Sequence, residues 1–289
     1  MARHGFGIGI SGGASGSVLC RQSGQMLSEQ VFSVAENFST DATVTMMPGH
    51  RAAPLAVHQL GAGRPLILLH GLFSNAHVNW IKYGTAAAIA ERGFRVIMPD
   101  FRVHGQSSAS HDLDDYPADV LALDVEALIS GLGLSDYDLG GFSLGARTTA
   151  LLLTRGLAPR RAILAGMGLQ GLSGWAKRRD FFLSVIADRD TIKHGDPRWL
   201  SAQFMKTMKV DGEAAALLLR TFGDIDPADL PGIATPILVV SGAEDRDNGS
   251  PQDLTDILPN ARLEEIPGTH MSSVTKPELG RVIGDFLAA

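Results

Sequence analysis

Short apolar runs that alternate with amphipathic stretches restrict the folding of this chain more than any other feature. PLILLHG (65–71), FRVIMPD (94–100), YDLGGFS (137–143), RAILAG (161–166), PILVVSG (236–242) and ARLEEIPG (261–268) have the length of strands and the turn residues that end them. Most are apolar at successive positions rather than at every second one, as strands covered by helices on both faces must be. Helical periodicity fills the intervals near 77–92, 117–132, 144–156, 252–258 and 276–287. This alternation predicts an α/β protein with a doubly wound, mainly parallel sheet. TVTMM and PLAVHQL, before residue 61, could supply an antiparallel edge hairpin. Residues 167–232 carry helical patterns over 175–187, 197–208 and 212–222 but no strand, and read as a helical cap inserted in a domain spanning 40–289. Residues 1–25 are rich in Gly and Ser without either period, which predicts a flexible extension.

Charge and cysteine content remove several function classes. The formal net charge is -6 and the basic residues are scattered, which speaks against nucleic acid as a partner. KRRD (177–180) is the one small basic cluster; it reads as a solvated helix face, with recognition of a carboxylated substrate as the minority alternative. No apolar run approaches the 18 or more residues of a membrane span. Cys20 is the single cysteine, so no internal disulfide or cysteine-based metal site can form, and a reducing, cytoplasmic location is expected. No histidine pair has the helical zinc spacing with a glutamate. The expectation is therefore no metal and no cofactor.

Ligands of open α/β sheets bind beyond the carboxyl ends of the strands. His70, Asp100, Ser143, Asp245 and His270 all fall at or just after such ends. Ser143 lies in GGFSLGA, a Gly-x-Ser-x-Gly pattern. GISGG near the start, around Ser11, has the same pattern, but it lacks a strand before it and a helix after it. A sharp strand-to-helix turn would lift Ser143 above the sheet and bring strand and helix so close that Gly141 and Gly145 have no room for a Cβ. Serine needs a base to take its proton and a third group to orient that base. His270 is the candidate base and Asp245 the candidate orienting acid, with Asp247 and Glu244 as nearby competitors. Backbone N–H groups of Leu72 and Leu144 are the expected oxyanion donors, with Phe73 as second choice for the first. His70 and His104, each before a glycine, read mainly as loop-shaping hydrogen-bonding residues, and His77, His111 and His194 as surface residues.

LLHGLFSNAHVNW, VIMPDFRVHGQSS, GGFSLGA, PILVVSGAEDR and IPGTHMSSV together resemble the α/β-hydrolase superfamily, in its small, cofactor-free serine branch, over about 54–287. The resemblance implies a serine hydrolase with the triad Ser143, Asp245 and His270, cleaving an ester-like small molecule through an acyl-enzyme. Val103 stands where the family usually has Gly, and Phe142 where His is frequent. Serine as nucleophile speaks against the epoxide-hydrolase and haloalkane-dehalogenase branches. The same triad could serve a perhydrolase, a carbon–carbon bond hydrolase or an acyltransferase, and a catalytically silent binding module is the rival of another class. Phe73, Phe142, Trp175 and Phe182 are candidate pocket residues for an apolar acyl group. Oligomeric state cannot be read from the sequence.

Overall fold

The apolar runs form strands because two layers of helix remove both of their faces from water. In the computed structural model, which describes residues 42–289, the strands are β1 (Thr43–Pro48), β2 (Pro54–Leu60), β3 (Arg64–Leu69), β4 (Phe94–Pro99), β5 (Asp138–Phe142), β6 (Ala162–Ala165), β7 (Ile237–Gly242) and β8 (Ala261–Ile266). They make one sheet in the order β1-β2-β4-β3-β5-β6-β7-β8. The β1–β2 and β2–β4 pairs are antiparallel, and every pair from β4 to β8 is parallel. The doubly wound sheet and its antiparallel edge hairpin thus stand where the alternation of apolar runs places them. The extension over 1–25, with Ser11 and Cys20, lies outside the described residues.

Successive side chains of a strand point to opposite faces, so a continuous apolar run feeds two cores. In β3, Leu66 and Leu68 join Val96, Met98, Leu238 and Val240 on one face, while Ile67 and Leu69 join Ile97 and Leu139 on the other. The first core is closed by helices α1 (Thr85–Ala90) and α10 (Pro277–Ala288), the second by α2 (Val120–Gly131). Each fully buried Leu or Ile contributes about 1.5–3 kcal/mol. The helix expected over 77–92 is interrupted. A π-helical turn, His77–Ile81, precedes α1, and Gly84 between them has φ 80°, a left-handed conformation that ends one helical run and starts the next.

Helix α3 (Leu144–Thr154) follows β5 directly. Between β6 and β7 come α4 (Leu169–Ser173), α5 (Trp175–Asp188), α6 (Trp199–Thr207) and α7 (Gly212–Leu219) with no strand. Helix α8 (Pro251–Ile257) follows β7, and the one-turn α9 (His270–Ser273) follows β8. Among the described residues no helix is long and apolar enough to cross a membrane.

Two buried histidines lace the loops after β3 and β4 together. His70 Nε2 accepts from the Phe101 N–H at 2.9 Å while its Nδ1 faces the Gly71 carbonyl at 2.8 Å. His104 mirrors this, with Nε2 accepting from the Phe73 N–H at 3.0 Å and Nδ1 facing the Arg102 carbonyl at 2.9 Å. Both rings are therefore neutral with the proton on Nδ1. Arg102 is in turn held by Asp124 of α2 through two hydrogen bonds of 2.7 and 2.6 Å. Asp100 receives the Ala76 and Gln106 N–H groups at 2.8 and 2.9 Å, so it organises the same loops from below and does not face the cavity described next.

Burial first, and then the closeness of the second imidazole, His70, push the His104 pKa down to about 3. An unfolded histidine titrates near 6.5. Between those values the unfolded chain binds a proton that the folded chain refuses, so stability falls as pH drops through that window, by at most about 1.4 kcal/mol per pH unit for this group. The urea midpoint is expected to fall between pH 7 and pH 5, and to fall less in a His104→Gln variant. An equal fall in both proteins would contradict this account.

Candidate active site

Ser143 occupies the turn between β5 and α3 with φ 54° and ψ -110°, a backbone conformation that a non-glycine residue holds only when its surroundings enforce it. The enforcing contacts are glycine contacts. A Cβ on Gly141 would lie 2.3 Å from the Gly145 carbonyl carbon, and one on Gly145 would lie 2.1 Å from the Leu69 carbonyl oxygen. The Ser143 N–H donates to the Ala165 carbonyl at 2.8 Å, which ties the turn to β6.

Asp245 and His270 come from the loops after the neighbouring strands β7 and β8. Those loops touch backbone to backbone: Ala243 N–H donates to the Ile266 carbonyl at 2.8 Å, and Glu244 N–H to the Gly268 carbonyl at 3.0 Å. Gly242 permits the approach, since a Cβ there would be 2.2 Å from the Gly268 oxygen. Thr269 caps α9 in a reciprocal box with Ser272, which fixes the turn that starts with His270. The outcome is a continuous chain in which His270 Nδ1 is 2.8 Å from Asp245 Oδ2 and His270 Nε2 is 3.0 Å from Ser143 Oγ.

Of the three competing acids, only Asp245 is bonded to the imidazole. Glu244 and Asp247 are exposed, and the Asp247 N–H donates to Asp245 Oδ1 at 2.9 Å. Burial raises the Asp245 pKa. The His270 hydrogen bond, the His270 charge, the Asp247 N–H and the Arg178 charge together outweigh burial and hold the carboxyl below its usual range. Asp245, Asp247 and His270 are also close enough to share a cation, but the Nδ1–carboxylate contact already occupies the two strongest donors of that set.

The loop Gly71–Phe73 runs past Ser143, a Cβ on Gly71 falling 3.6 Å from Ser143 Cβ. Asn79 Oδ1 accepts the Gly71 N–H at 3.0 Å and steadies that loop. The N–H groups of Leu72 and Leu144 have no hydrogen-bond partner among the described residues. Phe73, by contrast, gives its N–H to His104, so of the two N–H groups only that of Leu72 is unpaired among the described residues. Phe73 itself has φ 60°, a further strained position in the loop.

Ser143 and His270 open onto a cavity of about 950 Å3. Leu72, Phe73, Phe142, Trp175 and Phe182 all line it. Phe73 and Phe182 meet edge to face at 5.7 Å, and Phe142 lies 5.0 Å from the His270 ring. Val103, in the position where a glycine was the family expectation, has φ 74° and is 5% exposed, so its apolar burial offsets a backbone conformation that glycine adopts freely. Among the polar lining residues that escaped sequence reasoning are Asn79, Asn248 and Arg147. Of these, Arg147 carried a readable signal, because it lies one helical turn beyond Ser143.

The family described as alpha/beta hydrolase fold matches residues 64–206. The chain is 37% identical over 101 residues to the AB hydrolase superfamily protein YisY of Bacillus subtilis, a match covering 35% of this chain and 36% of that protein. It thus spans about a third of the length of that curated relative. It is 28% identical over 252 residues to a putative non-heme chloroperoxidase of Synechocystis sp., covering 72% of this chain and 85% of that protein. Among solved structures, an esterase from Exiguobacterium antarcticum superposes with a TM-score of 0.70 at 19% identity, over 86% of this chain and 100% of that one. At that identity the likeness is one of fold.

The close approach at the turn can be tested by adding one methyl group. Gly145→Ala is expected to lower stability by about 1–3 kcal/mol in urea unfolding. Gly131→Ala, where nothing lies within 4 Å, is expected to be neutral or stabilising by up to about 1 kcal/mol. Equal losses at the two sites would contradict the steric account.

Proposed function

The chain belongs to the α/β-hydrolase superfamily, and we propose that it is a serine hydrolase that cleaves an ester-like small molecule through an acyl-enzyme. The observation that carries this reading is the Ser143–His270–Asp245 chain, with contacts of 3.0 and 2.8 Å, set on a strained turn. His270 Nε2 takes the Ser143 proton as Oγ bonds to the carbonyl carbon. The Leu72 and Leu144 N–H groups donate to the carbonyl oxygen as it becomes negative, where such donors stabilise the transition state more than the ground state. Collapse breaks the bond to the leaving alcohol, whose oxygen receives the proton from His270. Water, deprotonated by His270, then cleaves the acyl–Ser143 bond, and the proton returns to Ser143 Oγ. Asp245 keeps the imidazole proton on Nδ1 and stabilises the imidazolium.

The likeness to the Synechocystis chloroperoxidase favours a second reading on the same triad, in which hydrogen peroxide replaces water at the acyl-enzyme and releases a peracid. The two differ only in the deacylating nucleophile. Product analysis of one ester with and without peroxide separates them.

A fluorophosphonate probe is expected to label Ser143, and Ser143→Ala to lose labelling and about 10^4-fold or more of esterase kcat. A folded Ser143→Ala protein with undiminished turnover would overturn the proposal. The aromatic lining supports an apolar acyl group, so kcat/KM for p-nitrophenyl esters should climb from acetyl through butyryl to hexanoyl, by up to about fourfold per methylene. An acetate preference would remove the apolar acyl pocket from the reading.

A further inference from the structure

Two arginines line the cavity that holds Ser143 and His270, and neither has a carboxylate within 4.0 Å among the described residues. Arg147 projects from α3 and is 3% exposed. Its guanidinium lies 5.5 Å from the Trp175 ring centroid and 5.7 Å from that of Phe222. It donates to the Gly223 carbonyl through Nη2, while its buried Nε–H has no partner. Arg178 projects from α5, is half-buried, and donates to the Asp247 carbonyl at 2.7 Å. Lys177 lines the same cavity but is exposed, and Arg179, outside the lining, pairs with Asp180 at 3.3 Å.

A buried charge is costly unless it is paired, and a guanidinium has five N–H donors to satisfy. One carbonyl and two aromatic faces leave Arg147 short of both requirements. The acids that act on Arg147 are spent elsewhere, Asp119 on Arg155 at 2.7 Å and Asp224 on the Trp175 N–H at 2.7 Å; of those that act on Arg178, Asp245 is spent on His270 and Asp247 stands exposed on the cavity wall. Burial pushes Arg147 down to about 10 despite Asp119 and Asp224, and the Arg178 charge adds to the fall. Even there it remains cationic at neutral pH. The cavity wall thus carries the Arg147 and Arg178 guanidiniums and the Lys177 ammonium against a single lining carboxylate, the exposed Asp247, an excess of positive charge that an entering anion offsets.

We infer that Arg147 and Arg178 form the cationic pole of the cavity and that the substrate is an ester-like compound carrying a carboxylate, which this pole receives while the apolar lining holds the carbon chain between carboxylate and ester. The inference rests on the serine-hydrolase reading for the reaction that follows binding, and on the two arginines alone for the binding. It assigns Arg178 the substrate contact that the KRRD cluster as a whole does not make. It also assigns Arg147 a role beyond tying α3 to the residues around Gly223.

The test compares two six-carbon acyl groups, p-nitrophenyl hexanoate and the mono-p-nitrophenyl ester of adipic acid. Wild-type protein is expected to prefer the adipate ester by at least tenfold in kcat/KM, the range of one or two hydrogen bonds to charged groups. Arg178→Gln should reduce that preference at least tenfold, whereas Arg178→Lys retains part of it. Arg147→Gln should do the same if it folds, and Arg178→Gln suffices if it does not. A wild-type preference near or below one, or a preference unchanged in Arg178→Gln, overturns the inference. Ser143→Ala protein separates the two readings: adipate, but not 1,6-hexanediol, should raise its Tm. If no ester is cleaved by wild-type protein and that shift persists, the hydrolase reading fails and the anion site stands. Absence of the shift overturns the anion site.

Discussion

The contact between Gly145 and the Leu69 carbonyl is the constraint on which the site depends. It lets α3 start so close to β3 that Ser143 is forced into a conformation serine does not choose, with its hydroxyl above the sheet edge. Because Gly141 and Gly145 face each other across the turn, the strain is supported by packing on both sides and cannot relax locally. Like every α-helix, α3 leaves its first N–H groups without intrahelical partners. One of them, at Leu144, is unpaired beside Ser143 among the described residues.

The loops around that turn are held by hydrogen bonds as well as by the buried side chains of Phe73, Phe101 and Val103. His70 and His104 cross-link two of them in opposite directions, and the crossing selects which N–H remains open. Phe73 is consumed and Leu72 is left. Asp245 and His270 depend on a parallel device, the backbone bonds between the β7 and β8 loops. In each case the chemistry is carried by a residue whose neighbours have been used up elsewhere.

Over this rim, α5 brings Trp175, Arg178 and Phe182 into one cavity with the nucleophile. Its polar face is not uniform. Lys177 is exposed on the cavity wall, Arg178 is half-buried there and donates to the Asp247 carbonyl, and the aromatic rings of Trp175 and Phe222 flank Arg147 from α3. An aromatic cage around an arginine lowers the cost of burying its charge without neutralising it. The cavity therefore combines apolar walls with a positive end.

Hydrophobic periodicity alone determined that the chain would make a mainly parallel sheet, since a run apolar on both faces has no stable place except between two helical layers. Glycine spacing and the placement of polar residues after strands likewise made Ser143, Asp245 and His270 legible as a group, because β-strand ends converge on one rim in any such sheet. Chain order could not choose Asp245 over Asp247, two residues apart on the same loop; only the pairing of that loop with the one after β8 decided which carboxylate meets the imidazole. Nor could it break the helix over 77–92 at Gly84, reserve the Phe73 N–H for His104, or turn Arg147 and Arg178 towards one space. Those outcomes depend on distances between segments far apart in sequence, and side-chain hydrogen bonds and buried charges are settled by such distances rather than by local pattern.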